Sequence, residues 1–459
     1  MPKKKTALTI EERLQQALVP AEEQPYEVPE NWVWVRLGEV NKYMSKSVNP
    51  ISEPNKTFEL YSVPSMADNY PEIIVGSDIG SSKQSVCKGD VLLCKINPRI
   101  NRVWKVSQFT DNELIASSEW IIIRNNHIDA NYLMYCFQSK YFREFMLSNV
   151  SGVGGSLMRA QPKYVQTYPI PLPPLSEQQR IVERIEELFA KLDEAKERLQ
   201  EAADSFAVRK AAILHKAFTG ELTKQWRWEN GVSDESWEEK KLNEICIARA
   251  GYAFNSKEFG SKGYQIIRMG NLYGGQLLLD RSPVFIDEQI LDEKIIEKSI
   301  IQKGDILITL TGTKYKRDYG YAVLVTITGK MLLNQRILSL RPKNDNADFI
   351  CYCLQTKEFR DVFFSNETGG VNQGNVSSKF VENISIKYPS LPEQHEIVRL
   401  IDDLLARERS AQQATEQALA SIDLMKKSIL ARAFRGELGT NKASEASALE
   451  LLRQVLAEN

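Results

Sequence analysis

Apolar residues recur in steps of four and three along two stretches of this chain. In the first, Ile181, Ile185, Leu188, Leu192, Ala195, Leu199, Ala202 and Phe206 form one stripe. A heptad seam held over more than three repeats predicts a long helix that pairs with another helix. Ser176, with Pro173-Pro174 before it and Glu177 and Gln178 behind it, suits the helix start. The second stretch runs Ile397, Ile401, Leu404, Ala411, Thr415, Ala418, Ile422, Met425 and Ile429, with Glu408 interrupting the seam. At 1.5 Å per residue a ~40-residue helix is roughly 60 Å long. Gly220 and Gly436 fall where a helix C-cap belongs. The expected helix-pair interface is Ile181, Ile185, Leu188, Leu192, Leu199 and Phe206 against Ile397, Ile401, Leu404, Ile422, Met425 and Ile429. We expect an intramolecular antiparallel pair; a homodimerising coiled coil is the competing arrangement.

Other stretches alternate like strands. Lys88-Gly-Asp-Val-Leu-Leu-Cys and Lys303-Gly-Asp-Ile-Leu-Ile-Thr each read as a turn and a buried strand. Glu119–Arg124, Arg336–Arg341, Tyr168–Leu172 and Ile384–Tyr388 read as further strands, and 130–148 and 347–365 as amphipathic helices. Gly-rich loops follow those helices, Ser151-Gly-Val-Gly-Gly-Ser and Thr368-Gly-Gly-Val-Asn-Gln-Gly. At the ends, Thr9-x-x-Glu12 predicts a capping box opening a short helix through Leu18, and Leu449, Leu452, Val455 and Leu456 mark one face of a tail helix.

These elements form a repeat. Leu175-Ser-Glu-Gln-Gln-Arg-Ile-Val matches Leu391-Pro-Glu-Gln-His-Glu-Ile-Val, and Ile213-Leu-His-Lys-Ala-Phe-Thr-Gly-Glu-Leu matches Ile429-Leu-Ala-Arg-Ala-Phe-Arg-Gly-Glu-Leu, both 216 positions apart. Tyr135-Cys-Phe-Gln-Ser-Lys parallels Tyr352-Cys-Leu-Gln-Thr-Lys, followed by Phe142-Arg143 and Phe359-Arg360. The chain reads as an N-terminal helix and extended segment (1–29), an α/β block (30–172), a helix (173–222), a linker (223–236), a second block (237–389), a second helix (390–438) and a tail helix (439–459). The fold class is α+β with a pseudo-twofold internal repeat.

Composition narrows the chemistry. The six cysteines form no CxxC pair and there are three histidines, so a zinc site and histidine acid–base catalysis are not expected. There is no GxxxxGK[ST] phosphate loop and no nuclease carboxylate cluster. No apolar run reaches the ~20 residues of a membrane span, and the opening Met-Pro-Lys-Lys-Lys lacks the apolar stretch of a secretory signal, so we expect a cytoplasmic protein with reduced thiols and no membrane partner. Net charge is −1, so any nucleic-acid contact must use local positive charge.

Such local charge recurs. Lys83, Lys88, Lys95, Arg99, Arg102 and Lys105 face only Asp90, with Asn97 and Asn101 between them. The matching region holds Thr311, Thr313, Lys314, Lys316 and Arg317, interleaved with Tyr315 and Tyr319. Phosphates attract Lys and Arg, and base edges are read by Arg, Asn and Gln. A solvated basic loop is the bland explanation of either stretch; recurrence at one place in both copies favours nucleic acid. The glycine loops add Arg159, Gln161 and Lys163, and Asn372, Gln373 and Asn375; Arg249 and Lys257 complete the candidate DNA contacts.

Two variable blocks alternating with helices that carry Leu-x-Glu-Gln-x-x-Ile-Val and Ala-Phe-x-Gly-Glu-Leu resemble the specificity (S) subunit of type I restriction-modification enzymes over nearly the whole chain. Pro29-Glu-Asn-Trp-Val-Trp-Val-Arg-Leu-Gly-Glu at the first block supports the likeness. The glycine loops depart from one another, and the first lacks Asn. The resemblance implies two target recognition domains, each reading one half of an asymmetric bipartite DNA sequence, separated by two long antiparallel coiled-coil helices that set the gap. It implies double-stranded DNA, two modification (methyltransferase) subunits and two restriction (translocase/nuclease) subunits as partners. It places S-adenosylmethionine, ATP and Mg on those partners, with no catalytic residue, metal or cofactor in this chain. A stand-alone DNA-modifying enzyme and a coiled-coil scaffold without a DNA role are the alternatives.

Overall fold

The computed structural model describes residues 8–152, 158–314, 316–344, 346–370 and 372–457. It divides into two compact units, one comprising the chain up to Leu199 together with the chain from Gln417, the other Gln200–Glu416.

In the first unit, strand Val33–Arg36 pairs antiparallel with Pro169–Leu172, so the block's two ends are stitched together where the first long helix begins. Inside lies a three-stranded antiparallel sheet in the order Val103–Lys105, Val91–Cys94, Trp120–Ile123. The outer five-stranded sheet contains one parallel pair, Thr57–Tyr61 with Glu113–Ala116. The second unit repeats the stitch between Glu238–Lys241 and Ser385–Tyr388. Its central sheet runs Cys246–Ala250, Ile337–Pro342, Ile306–Thr309, Ala322–Leu324. The continuous apolar runs Val91-Leu-Leu-Cys and Ile306-Leu-Ile-Thr are buried at every position, as suits strands that lie inside their sheets.

The two Lys-Gly-Asp turns do the same work. Gly89 and Gly304 take φ of +93° and +92°, left-handed values that favour glycine. The following aspartates are buried and bidentate. Asp90 accepts from Arg124 Nε and Nη2 at 2.7 and 2.6 Å, and Asp305 from Arg341 Nε and Nη2 at 2.6 and 2.8 Å.

The amphipathic stretches 130–148 and 347–365 are each two helices, not one: Ala130–Gln138 and Lys140–Ser148, and Ala347–Leu354 and Lys357–Ser365. The breaks fall at Ser139 and Thr356, whose extended backbones end one helix while their hydroxyls accept from the Phe142 and Phe359 amides of the next.

The long helices span Leu175–Phe218 and Leu391–Ala433. Within the first unit, Ile181, Val182 and Ile185 share a core with Leu430, Ala433 and Phe434, and Lys426 Nζ lies 2.5 Å from Asp193. Within the second, Leu214 and Ala217 share a core with Ile397, Ile401 and Leu405, and Arg209 Nε meets Glu408 Oε2 at 2.8 Å. In each unit the two helices therefore run antiparallel, as expected. The residue that interrupts the second seam is thus an ion-pair partner. Ile422 is buried and Ile429 is partly buried against the core. Leu188, Leu192, Leu199, Phe206 and Leu404 are half-buried. Met425 is a correction: it is 50% exposed. A strict heptad drifts around a 3.6-residue helix, and here the contact face has moved on to Lys426 and Leu430. Gly220 and Gly436, at φ +81° and +74°, end the two helices.

The repeated Glu-Gln pairs are buried anchors. Glu177 accepts from Trp32 Nε1 at 2.8 Å and Asn441 Nδ2 at 2.9 Å; Glu393 accepts from Thr223 Oγ1 at 2.7 Å and Arg227 Nη1 at 2.8 Å. Gln178 Nε2 donates to the Pro173 carbonyl and Gln394 Nε2 to that of Pro389, tying each helix start to the strand before it. Thr9 and Glu12 form the capping box of helix Ile10–Ala17. The tail helix Ala448–Ala457 buries Ala448, Leu451, Leu452, Val455 and Leu456 in the first unit's core, beside Ala17 and Trp32. The segment expected as a linker holds helix Lys224–Glu229, fastened by the buried Arg227.

Candidate nucleic-acid interface

In the first unit, strand Val91–Cys94 delivers the loop that begins at Lys95. The Lys95 carbonyl accepts from the Ala160 amide and the Asn97 amide donates to the Met158 carbonyl, both at 2.8 Å. This lacing brings Lys95, Asn97 and Arg99 beside the segment bearing Arg159, Gln161 and Lys163. Asn97 turns the loop at φ +43°, and its Oδ1 is buried with no partner among the described residues. Arg99 is exposed, and its carbonyl accepts from Arg143 Nη2, reaching over from helix Lys140–Ser148. Arg159 Nη2 pairs with Glu119 at 3.2 Å, and Lys163 Nζ sits 4.6 Å from the Tyr164 ring centre. Of the glycine loop, residues 153–157 lie outside the described residues.

The second unit builds the same end of its sheet. Ile306–Thr309 delivers Thr311–Arg317, and Thr311 pairs with Asn375, which brings in Asn372 and Gln373. Thr311 Oγ1 bonds Asn375 Oδ1 at 2.9 Å, and Asp318 accepts from the Thr313 amide and hydroxyl at 2.6 and 3.1 Å. Those side chains hold the loop's shape and leave Lys316 and Arg317 exposed and Lys314 half-buried; Tyr315 lies outside the described residues. Arg317 has φ +46°, a strained value for a long side chain. Arg360 braces the turn: its Nη1 donates to the Gly320 carbonyl at 2.8 Å and its Nη2 to that of Arg317 at 3.1 Å. Burial lowers the Arg360 guanidinium's proton affinity from its ordinary value. Arg143 and Arg360, the arginines of the repeated Phe-Arg pairs, thus hold the arginine-bearing loops of both copies by backbone carbonyls.

Several expected contacts are placed elsewhere. Lys105 is paired opposite Val91, at the far end of the strand from Lys95, and its ammonium bonds Asn131 Oδ1 at 2.5 Å. Strand reversal put it there: positive charges close in sequence are split between the two ends of the hairpin Val91–Cys94 and Val103–Lys105. Lys83 lies on the five-stranded sheet, held by Ser81, and burial lowers its proton affinity. Asn101 Nδ2 donates to the Phe137 carbonyl at 3.2 Å and Arg102 lies against the Ile96 carbonyl, so both brace the loop. Arg249 is half-buried on the edge strand, opposite Ser339, and Lys257 is exposed on a short turn.

Sequence reasoning missed a cleft of about 670 Å³ in the second unit. Arg268, Arg281, Asn334, Gln335 and Arg336 line it, with Ser256 beside Lys257 at one rim. The pattern of Arg336–Arg341 predicts only a strand; the Asn-Gln-Arg triplet that opens it is the sequence signal for the cleft.

A family model, the type I restriction modification DNA specificity domain, matches twice, over residues 29–203 and 234–419. This chain belongs to that family. Among the family's specificity subunits, the chain is 25% identical to the MjaVIII subunit of Methanocaldococcus jannaschii over 86% of this chain and 92% of that one. It is 27% identical to the EcoKI subunit of Escherichia coli over 72% of each. A 26% match to the EcoBI subunit of Escherichia coli covers 63% of this chain and 64% of that subunit. The HsdS subunit of Thermoanaerobacter tengcongensis shares the fold, with TM-score 0.65 and 22% identity over 90% of this chain and 99% of that one. The expected family, the two recognition domains and the mixed helix-and-sheet class with two long helices are borne out. The homologous chains are specificity subunits, so the chain is a DNA target-recognition subunit.

Proposed function

We propose that each recognition domain reads one half of an asymmetric bipartite DNA target, and that the helix pair sets the gap between the halves. The carrying observation is that the same end of the corresponding sheet bears a basic, amide-rich loop in both copies, braced alike by Arg143 and Arg360 but carrying different side chains. Like scaffolds with unlike readers support two different half-sites. The chain contributes no catalytic group; methyl transfer and ATP-driven cleavage belong to two modification and two restriction subunits with their S-adenosylmethionine, ATP and Mg. Two apolar pockets at equivalent points of the repeat support a partner present in two copies. One, about 480 Å³, is lined by Tyr26, Tyr141, Phe145 and Arg435; the other, about 210 Å³, by His215, Phe218, Phe359 and Val362.

The test exchanges residues 237–389 for the matching domain of a relative and co-expresses the chain with modification subunits. Methylome sequencing is expected to show one half of the motif changed and the other kept. A motif altered in both halves, or in neither, overturns the reading. A matched one-turn insertion in both long helices is expected to lengthen the unspecified spacer while leaving both halves intact.

A further inference from the structure

At one lining position, Arg336, the arginine-lined cleft of the second unit carries a positive charge where the first unit carries a negative one. By the repeat that aligns Phe142-Arg143 with Phe359-Arg360, the triplet Asn334-Gln335-Arg336 corresponds to Ser117-Ser118-Glu119. Glu119 is an acid already committed to Arg159, whereas Arg336 is an exposed base with no ion pair among the described residues.

The cleft is built by close backbone approach. A Cβ on Gly251 would lie 2.0 Å from the Asn334 carbonyl oxygen, so glycine is required there. Tyr252 then exchanges backbone hydrogen bonds with Leu333 and Gln335 at 2.8 and 3.0 Å. Phe254 and Phe259 line it together with Arg268 and Arg281. Arg268 Nη2 is anchored on the carbonyl of Ser282, itself left-handed at φ +49°, and its Nε is buried without a partner among the described residues. Arg281 is exposed and stacks on Tyr273 at 5.0 Å. Among the described residues, no carboxylate lines the cleft. The Arg336 carbonyl accepts from the Leu310 amide at 2.9 Å, so the cleft adjoins the Thr311–Arg317 loop at the same sheet end.

We propose that this cleft is the main DNA-reading surface of the second recognition domain. Arg336 and Gln335 reach base edges, a guanidinium suited to guanine and an amide suited to adenine, while Arg281 holds a backbone phosphate. The inference rests on the functional reading above and adds an asymmetry: the second half-site is gripped in a charged cleft, the first on an open loop.

The experiment uses the full chain assembled with modification subunits, with Arg336→Ala, Gln335→Ala and Arg281→Ala, and Lys294→Ala at an exposed position of helix Glu293–Ser299 as the charge-removal control. Methylomes first define the wild-type target; its duplex is the binding probe. Arg336→Ala and Gln335→Ala are expected to relax base preference in the second half only, with roughly 5- to 100-fold loss on the cognate duplex. Arg281→Ala is expected to weaken all duplexes alike and to reduce the slope of log K against log salt by about one. Lys294→Ala changes neither. If these three cleft variants match wild type in motif and affinity, the assignment is overturned while the two-domain reading stands; if they relax the first half, both are overturned. If the wild-type assembly methylates no bipartite motif, the reading itself fails.

Discussion

Removing the Asp305 carboxylate tests whether the repeated Lys-Gly-Asp turn is what holds each recognition sheet together. The Asp305 side chain is 1% exposed and that of Arg341 is 20% exposed. The pair makes two charge-assisted bonds, and Asp305 also accepts from the Gln302 amide at 2.8 Å. Arg341 is held above its ordinary proton affinity chiefly by those bonds. Asp305→Ala leaves the partly buried Arg341 guanidinium and the Gln302 amide without their acceptor, a loss of about 3–5 kcal/mol. At ~2–4 °C per kcal/mol for a unit of this size, the second unit's melting step falls by roughly 6–20 °C. Replacing both partners by apolar residues, Asp305→Leu with Arg341→Met, removes the stranded charge and recovers most of the loss. Differential scanning calorimetry of the full chain, with chemical denaturation as a second readout, measures both. A shift below ~2 °C for Asp305→Ala, or a double variant no more stable than the single, refutes the argument. Asp90→Ala is expected to do to the first unit what Asp305→Ala does to the second.

Arg360→Met should cut DNA affinity several-fold without altering the second half of the motif, because Arg360 shapes the Arg317 turn through carbonyls; competition binding plus methylome sequencing checks it, and a changed motif would make Arg360 a reader. Burial raises the Glu177 carboxyl above its ordinary value, so the stability tied to its protonated form is full below the ordinary carboxylate range and is lost as pH climbs through the raised value. Urea denaturation of Glu177→Gln against wild type is therefore expected to favour the variant more at pH 7 than at pH 4, and a difference that is flat with pH contradicts the assignment. The Arg209–Glu408 pair is partly exposed, at 39% and 27%, so Arg209→Ala should cost under ~1 kcal/mol and the effect should shrink in 0.5 M salt, as read by thermal melts.

The legible features were local ones. The two long helices, the capping box at Thr9 and the glycine stops at Gly220 and Gly436 depend on residues within a few turns of each other, and the 216-residue repeat is a match of such local patterns. Period and capping therefore specify them without tertiary help. The basic loops after Cys94 and Thr309 were legible for the same reason, since a buried strand bounded by a turn must release its polar residues at its end. The tail helix was legible as a face, but only packing against Trp32 and Ala17 shows where that face goes.

Only the tertiary structure decided which charges meet. Lys105 left the candidate surface because a hairpin carries its strand back to the opposite end. Met425 left the seam because side chains follow the helix's own 3.6-residue turn, whatever the heptad. The Arg268–Arg281–Arg336 cleft was invisible because its walls come from residues up to 82 positions apart, 254 to 336, joined by the Gly251–Asn334 approach. Sequence dictates what lies within a helix turn or along a strand. Sheet pairing brings distant polar residues together, and that depends on register and burial summed over the whole domain.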